Sequence, residues 1–178
     1  MPSPAGHLIQ VDSITIFSEG IKNYLVNAID VVSKFGFTYK YDNLNSYNAK
    51  DFIEKVRKVF PFKIRRIQTD NGSEFHGHFL KYARDQNIIH YFNYPHHPQS
   101  NGCVERFNRT IKEQFINNAK NDINNSEEFN KELMEYLVWH NTEKPHSSIN
   151  NLTPIDYLIY SNKLNAFKSN MLRYSTSS

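Results

Sequence analysis

Residues 64–75 read IRRIQTDNGSEF, and residues 94–113 read YPHHPQSNGCVERFNRTIKE. Asp70 ends a β-strand pattern and is followed directly by an Asn-Gly pair, which signals a turn. Glu105 lies one turn into a predicted helix, and 34 residues separate the two carboxylates. That length accommodates one helix and one strand. The pattern therefore predicts a strand, a helical crossover, a second strand and a helix that together bring Asp70 and Glu105 close.

A third carboxylate, Asp12, lies inside an early strand pattern, HLIQVDSITI. An acid in a mostly apolar strand is costly unless it is paired, hydrogen-bonded or bound to a metal. We therefore expect Asp12, Asp70 and Glu105 to meet in space and to hold divalent metal. Oxygen ligands without cysteine suit Mg²⁺ or Mn²⁺. Two such ions, about 3.5–4 Å apart, can clamp a phosphodiester.

Length and composition fit one domain, or one domain with a helical extension. The 178 residues carry a formal charge of +3, which permits nucleic-acid binding without requiring it. The lone Cys103 excludes a disulfide within the chain and a cysteine-based zinc site, and it favours a reducing, cytoplasmic compartment. No apolar run approaches the roughly 20 residues that span a bilayer, so we expect no membrane association.

Hydrophobic periodicity predicts the element order βββαβαβααα. This order is typical of a mixed five-stranded sheet, a three-stranded antiparallel meander followed by βαβ crossovers, with flanking helices. The predicted strands cover residues 8–16, 24–32, 36–41, 64–70 and 88–94, and the predicted helices cover 48–60, 74–86, 103–119 and 126–141, with a last short helix from Pro154.

Several local expectations accompany these elements. Asn48 is the expected N-cap of the first helix, with Asp51 in its first turn. Asn125 and Thr153 are the expected N-caps of the last two helices. Trp139 is expected in the core, and Asp30 is interpreted as a structural acid.

One face of the predicted helix 103–119 combines a carboxylate with polar and basic side chains. Glu105, Asn108, Arg109 and Lys112 follow the i, i+3, i+4 and i+7 spacing that places side chains on one side of a helix. Cations beside a metal-binding acid indicate a track for DNA phosphates. A solvated helix face is the alternative interpretation.

Three strings carry a resemblance to a known family: QTDNGSEF at 68–75, HPQSNGCVERFNRTIKE at 97–113 and WHNTEKPHSSINNLTP at 139–154. They resemble the integrase-type (D-D-E) transposases of bacterial insertion sequences, members of the retroviral-integrase superfamily with a ribonuclease-H-like fold. The segment IDVVSKFGF at 29–37 resembles the family's second-to-third strand hairpin, with Ser-Lys where Ser-Arg is usual. The resemblance implies an integrase catalytic core domain over residues 7–160, and we expect residues 161–178 to form a partly disordered tail.

The resemblance implies that Asp12, Asp70 and Glu105 are the catalytic triad and the metal ligands. It implies that Arg109 and Lys112 lie near the DNA backbone and that residues 95–102 form the active-site loop. Within that loop, His97 is a candidate DNA contact, and a loop-bracing role is the alternative. Asn108 is a further candidate DNA contact.

The function expected from these residues is metal-dependent DNA cleavage and strand transfer, with element ends and target DNA as partners. The alternatives are a nuclease of the same fold without strand transfer, and a truncated transposase remnant that retains only DNA binding or multimerisation. The family implies a homodimer or higher multimer, and we expect a bacterial cytoplasmic protein that associates with the nucleoid. Family members usually carry an upstream DNA-recognition domain, so we expect this chain to be a core fragment or the product of a truncated gene.

Overall fold

Five strands form one mixed sheet in the computed structural model, which describes residues 3–93 and 101–175. The strands are β1 (Ile9–Ser18), β2 (Ile21–Asp30), β3 (Gly36–Tyr41), β4 (Arg66–Thr69) and β5 (Ile89–Phe92). Their order in the sheet is β3-β2-β1-β4-β5. The first three strands pair antiparallel, whereas β1 pairs with β4, and β4 with β5, in parallel. The predicted meander followed by crossovers is confirmed.

The described part of the chain also contains five α-helices: α1 (Ser46–Val59), α2 (Gly77–Asp85), α3 (Gly102–Thr110), α4 (Ser126–Thr142) and α5 (Pro154–Ser175). A 3-10 turn at Ser73–Phe75 precedes α2. The last helix is longer than the short helix expected from the sequence. Within the described part of the chain, no helix is both long enough and apolar enough to cross a lipid bilayer.

The start of α1 differs from the prediction. Asn45, in extended backbone, caps the helix by accepting hydrogen bonds from the backbone N–H groups of Tyr47 and Asn48. Asn48 therefore lies inside the helix, and the first turn holds no acid. Asp51 instead accepts hydrogen bonds from Lys55, one turn further along α1, and from the Tyr41 hydroxyl. The predicted N-cap was therefore three residues too late in the sequence.

The other two predicted N-caps are confirmed. Asn125 accepts a hydrogen bond from the backbone N–H of Glu128 at the start of α4. Thr153 accepts one from the N–H of Asp156, 3.1 Å away, and donates its hydroxyl to that carboxylate in return. This reciprocal pair satisfies an N–H that the first turn of α5 would otherwise leave without a partner.

The predicted continuous helix 103–119 is wrong. The α-helical hydrogen bonding of α3 ends at Thr110, and a π-helical turn (Ile111–Phe115) and a 3-10 turn (Ile116–Asn118) follow. The π-helical turn inserts into the 3.6-residue repeat, yet Ile111 and Phe115 both remain buried. The apolar spacing therefore looked continuous although the backbone geometry changes.

Helix α4 covers the edge of the sheet that β3 forms. The Asn130 side chain accepts from the backbone N–H of Lys40 and donates to its carbonyl, and Asn141 does the same to Gly36. Two asparagine amides thus replace a neighbouring strand and satisfy edge groups of β3 that would otherwise be open to pairing. The buried stripe of α4 runs through Leu133, Leu137, His140 and Asn141.

Trp139 lies outside that stripe and is 41% exposed, so its predicted place in the core is wrong. Its indole packs against the Tyr136 ring and beneath the Lys144 ammonium on the protein surface. Asp30, in contrast, is fully buried and accepts hydrogen bonds from Gly6 N and from both the N–H and the hydroxyl of Ser33. The interpretation of Asp30 as a structural acid is supported by these contacts.

Candidate active site

The register of two parallel strands places Asp12 and Asp70 side by side. Ile9 pairs with Ile67 and Gln10 with Gln68 at the start of the β1–β4 ladder. Extending this register by two residues puts Asp12 level with Asp70, which directly follows β4. Neighbouring strands lie about 4.8 Å apart, so these two acids occupy the same edge of the sheet.

Two side chains of β1 hold α3, which carries Glu105, against this edge. The Gln10 Oε1 atom accepts a 3.0 Å hydrogen bond from the backbone N–H of Val104, in the first turn of α3. Asn108, one turn further along α3, donates its amide to Asp12 Oδ2 at 2.7 Å. Because Gln10 and Asp12 both project from β1, the strand fixes the helix at two points that flank Glu105.

A buried chain of hydrogen bonds extends from Asp12 through three elements. Asn108 Oδ1 accepts from Asn27 Nδ2 at 2.7 Å, and Asn27 Oδ1 accepts from the Thr38 hydroxyl at 2.6 Å. Asn27 and Thr38 are fully buried, and Asn108 is 8% exposed. The sequence interpretation that placed Asn108 on the exposed face of α3 is therefore wrong, and its predicted contact with DNA stays a prediction. Its position, four residues after Val104, lies on the buried stripe of α3.

Electrostatics link all three predicted acids. Burial raises the pKa of Asp12 above its ordinary value, and the negative charges of Asp70 and of Glu105 raise it further. The hydrogen bonds from Asn108 and from the Ser13 N–H oppose this shift and lower the pKa. Asp12 thus lies close enough to the other two carboxylates to be repelled by both. Cations that bind among them relieve this repulsion.

The remaining predicted residues differ in their surroundings. Asp70 is exposed and accepts a 3.0 Å hydrogen bond from Gly72 N, which closes the Asn-Gly turn. Glu105, Arg109 and Lys112 are exposed on one side of the α3 segment, as expected. His97, and most of the predicted active-site loop, lie outside the described residues.

Glu74 is a fourth acid at this edge, and the sequence analysis did not single it out. It is 9% exposed and accepts a 2.7 Å hydrogen bond from the Ser13 hydroxyl. A Cβ added to Gly72 would stand 2.6 Å from Glu74 Oε2, so the carboxylate packs directly on the turn that follows Asp70. Glu74 therefore joins the residue after Asp12 to the turn after Asp70. The only sequence signal was an acid two residues after an Asn-Gly turn.

The donor chemistry fits a hard divalent cation, because all three predicted ligands offer carboxylate oxygens. The three are not yet gathered into a binding cluster. Among the described residues, no group of three or more His, Cys, Asp or Glu side chains stands close enough to hold a metal ion. Asp12 is held by hydrogen bonds from Asn108 and Ser13, whereas the Asp70 and Glu105 side chains are exposed.

The geometry corresponds to a known family. A profile described as the integrase core domain matches residues 2–98, and a second profile with the same description matches residues 86–154. The chain belongs to the integrase core domain family. A putative integrase of Spiroplasma virus SpV1-C74 is 33% identical over 159 residues, which cover 80% of this chain and 43% of that protein. The Pro-Pol polyprotein of feline foamy virus is 35% identical over 97 residues, covering 53% of this chain and 8% of the polyprotein.

Solved integrase cores share the fold. The HTLV-2 integrase catalytic core domain in complex with magnesium, in its trimeric form, superposes with a TM-score of 0.69 at 18% identity, covering 86% of this chain and 97% of that one. The integrase catalytic core of BIV gives a TM-score of 0.67 at 19% identity, covering 90% of this chain and 99% of that core. The present integrase core thus has the ribonuclease-H-like architecture. It spans less than half the length of the curated relatives that it matches.

Proposed function

We propose that this integrase core cuts a DNA strand and joins the exposed 3′ end to a second DNA, with Asp12, Asp70 and Glu105 as catalytic metal ligands. The observation that carries the proposal is the environment of Asp12. Its carboxylate stands level with Asp70 in the strand register and is repelled by both Asp70 and Glu105. Three carboxylates that interact electrostatically at one edge of a sheet suit a site for divalent metal more than a structural role.

The chain's own residues would prepare this site. Ser13 N–H donates to Asp12 Oδ1 at 2.9 Å and Asn108 donates to Oδ2 at 2.7 Å, so the carboxylate is held in one orientation. Mg²⁺ or Mn²⁺ would activate the attacking oxygen and stabilise the leaving oxygen. Arg109 and Lys112, both exposed beyond Glu105, would hold phosphate oxygens of the DNA backbone.

The chemistry needs no external energy source because each step exchanges one phosphorus–oxygen bond for another. In the first step a water oxygen bonds to phosphorus as the P–O3′ bond breaks, which releases a 3′-hydroxyl. In the second step that hydroxyl oxygen bonds to a target phosphorus while the target's own P–O3′ bond breaks. The proton of each attacking oxygen leaves to solvent, and each leaving oxygen takes up a proton.

The named relatives support this proposal, and they do not identify the DNA sequences on which the chain acts. Solved neighbours include an integrase core with magnesium, in trimeric and dimeric forms, and the intasome of simian T-cell lymphotropic virus. We propose by analogy that this chain binds Mg²⁺, acts on DNA ends and target DNA, and assembles as a dimer or higher multimer. Association with a bacterial nucleoid stays a prediction.

A joining assay tests the proposal. Labelled donor duplex and plasmid are incubated with the purified chain and Mg²⁺ or Mn²⁺, and wild type is compared with Glu105→Gln. The matched control is Glu113→Gln, which neutralises another exposed acid on the same helical segment. Metal-dependent joined products that vanish only in Glu105→Gln would support the proposal. Nicking without joining would favour the nuclease alternative, and equal behaviour of wild type and Glu105→Gln would contradict the catalytic role.

A further inference from the structure

A small cavity lies beside α3, between the β2–β3 turn and the segment after α4. Its volume is about 60 Å³. A water molecule needs roughly 10–15 Å³ of such volume, so the cavity has room for several oxygen atoms. It is lined by the side chains of Lys34, Arg106, His140, Lys144 and His146, by the hydroxyls of Thr110 and Ser148, and by the apolar side chains of Ile29 and Phe107.

Three of these side chains are cationic, and none forms an ion pair with an acid in the described part of the chain. Lys34 Nζ donates to the Val31 carbonyl at 2.6 Å and contacts Cys103 Sγ at 3.4 Å. Lys144 Nζ donates to Gln114 Oε1. The Arg106 guanidinium is exposed and makes no hydrogen bond with any described residue. Three cationic side chains therefore line one cavity and retain N–H groups that can donate further hydrogen bonds.

His140 forms the buried wall of the cavity. Its side chain is 2% exposed, and neither ring nitrogen has a hydrogen-bond partner among residues 3–93 and 101–164. The Lys34 carbonyl is close enough to affect the ring's protonation, but it does not form a hydrogen bond of normal geometry. Buried polar nitrogens are rarely left without a partner, so His140 indicates that a polar ligand belongs here.

Two histidine side chains line the cavity beside these cations. Burial, together with the charges of His146 and Lys144, lowers the pKa of His140 to about 3. Burial also lowers the pKa of His146, with smaller contributions from Lys144 and Lys34. Asp30 interacts electrostatically with Lys34, and its carboxylate accepts hydrogen bonds from Ser33 and Gly6.

The backbone around the cavity is fixed on both sides. Lys34 adopts a left-handed conformation with φ of +63°, which is uncommon for a residue with a side chain, and its N–H donates to the Asp30 carbonyl. On the other side, the Lys144 N–H donates to the Trp139 carbonyl, and His146 forms a β-bridge with Leu152. Residues held in this way present a preformed site.

We infer that this cavity binds one phosphate group of the DNA backbone, through Lys34, Arg106 and Lys144 and the ring N–H of His140. The inference rests on the proposed function, because it takes DNA as the ligand. DNA is favoured over a free anion because Arg106 directly follows Glu105, and because Arg109 and Lys112 line the same helical segment. The cavity would extend the phosphate contacts of α3 to its opposite flank.

The test measures binding in the presence of EDTA, so that it is independent of catalysis. A labelled DNA duplex is titrated with wild type and with Lys34→Gln, Arg106→Gln and Lys144→Gln over a series of salt concentrations. Lys81→Gln is the control, since it removes the same charge from an exposed lysine on α2 that makes no hydrogen bond with any described residue. Loss of one phosphate contact lowers the slope of log K against log salt by about 1. We expect this loss in the cavity variants and an unchanged slope in the control.

A second readout reports the cavity itself. The imidazole nitrogen signals of His140 and His146 are followed by NMR during titration with DNA duplex and, separately, with inorganic phosphate at equal phosphate concentration. Shifts with DNA that exceed those with inorganic phosphate, and that are lost in Lys144→Gln, would support the inference. Shifts with inorganic phosphate alone would overturn DNA as the source of the phosphate.

Cavity variants that bind DNA with the same salt slope as wild type, and histidine signals that do not move, would overturn the inference. That failure is distinct from failure of the proposed function. A protein with an irrelevant cavity still joins DNA ends when metal is added. A protein without the proposed function does not join them, whether or not its cavity binds phosphate.

Discussion

The amide of Asn108 donates a 2.7 Å hydrogen bond to Asp12 Oδ2, across 96 residues of sequence. This bond ties the first strand to the helix that carries Glu105. Asn108 in turn accepts from Asn27, so its side chain is held in one orientation by partners on both sides. The orientation of the proposed metal ligand Asp12 therefore depends on the side chain of a buried residue.

Replacing Asn108 with Ala should lower metal-dependent joining while leaving DNA binding in EDTA intact. Loss of a partner that orients a metal ligand typically costs about 10- to 100-fold in metal affinity or activity. The joining assay and the duplex titration measure the two effects separately. Asn117→Ala, at an exposed position beyond α3, is the matched control. Equal losses of DNA binding and of joining would instead mean that Asn108 contacts DNA or that the fold has collapsed.

Glu74 should contribute to both the stability and the alignment of the site. Glu74→Leu removes the acceptor of the Ser13 hydroxyl, and a buried polar group that loses its partner costs about 1–3 kcal/mol. Glu74→Gln keeps an acceptor but removes the charge. We expect Glu74→Leu to lower the free energy of unfolding in urea, with a smaller loss in Glu74→Gln. If both variants are as stable as wild type, the Ser13–Glu74 contact does not hold the turn after Asp70.

Gly36 allows α3 to approach the sheet. A Cβ at this position would stand 2.6 Å from the Phe107 ring, so Gly36→Ala should force the helix outward. Such overpacking costs about 1–3 kcal/mol in the free energy of unfolding. Thermal unfolding measures the loss. The double variant Gly36→Ala, Phe107→Leu should recover part of the lost stability, because leucine is smaller than phenylalanine. If the effects of the two substitutions on stability simply add, the account is contradicted.

Acid should destabilise the protein in part through His140. Its pKa is about 3 in the folded chain against an ordinary 6.5, so below pH 6.5 the unfolded chain takes up a proton that the folded chain refuses. Above pH 6.5 this group does not reduce the free energy of unfolding. As the pH decreases from 6.5 toward 3, the free energy of unfolding falls by about 1.4 kcal/mol per pH unit. Urea unfolding at a series of pH values measures this slope. His140→Leu should flatten it, and an unchanged slope would show that His140 is not buried in its neutral form.

The sequence predicted those parts of the fold and of the site that depend on local pattern. The Asn-Gly turn predicted the end of β4 and so the place of Asp70, and hydrophobic periodicity predicted the order of helices and strands along the chain. The prediction for Asn108 failed because polarity was interpreted as exposure, although the residue lies on the same helical stripe as Val104. Its partner Asn27 lies 81 residues away in sequence, and no local pattern reports such a contact.

Two further differences have the same origin. Trp139 is large and aromatic, yet the buried stripe of α4 is completed by His140 and Asn141, which leaves the indole at the surface. The end of α3 at Thr110 was missed because the π-helical turn keeps Ile111 and Phe115 on the buried side. In each case tertiary packing, and not local propensity, decides the outcome.

The central claim is that Asp12, Asp70 and Glu105 form one metal site, and the most direct test is a Mn²⁺ titration followed by calorimetry. Wild type should bind Mn²⁺. Asp12→Asn, Asp70→Asn and Glu105→Gln should each weaken binding by more than the roughly 10- to 100-fold that loss of an orienting partner costs. Glu113→Gln should bind as wild type does. Three variants that keep the wild-type affinity for Mn²⁺ would contradict the claim.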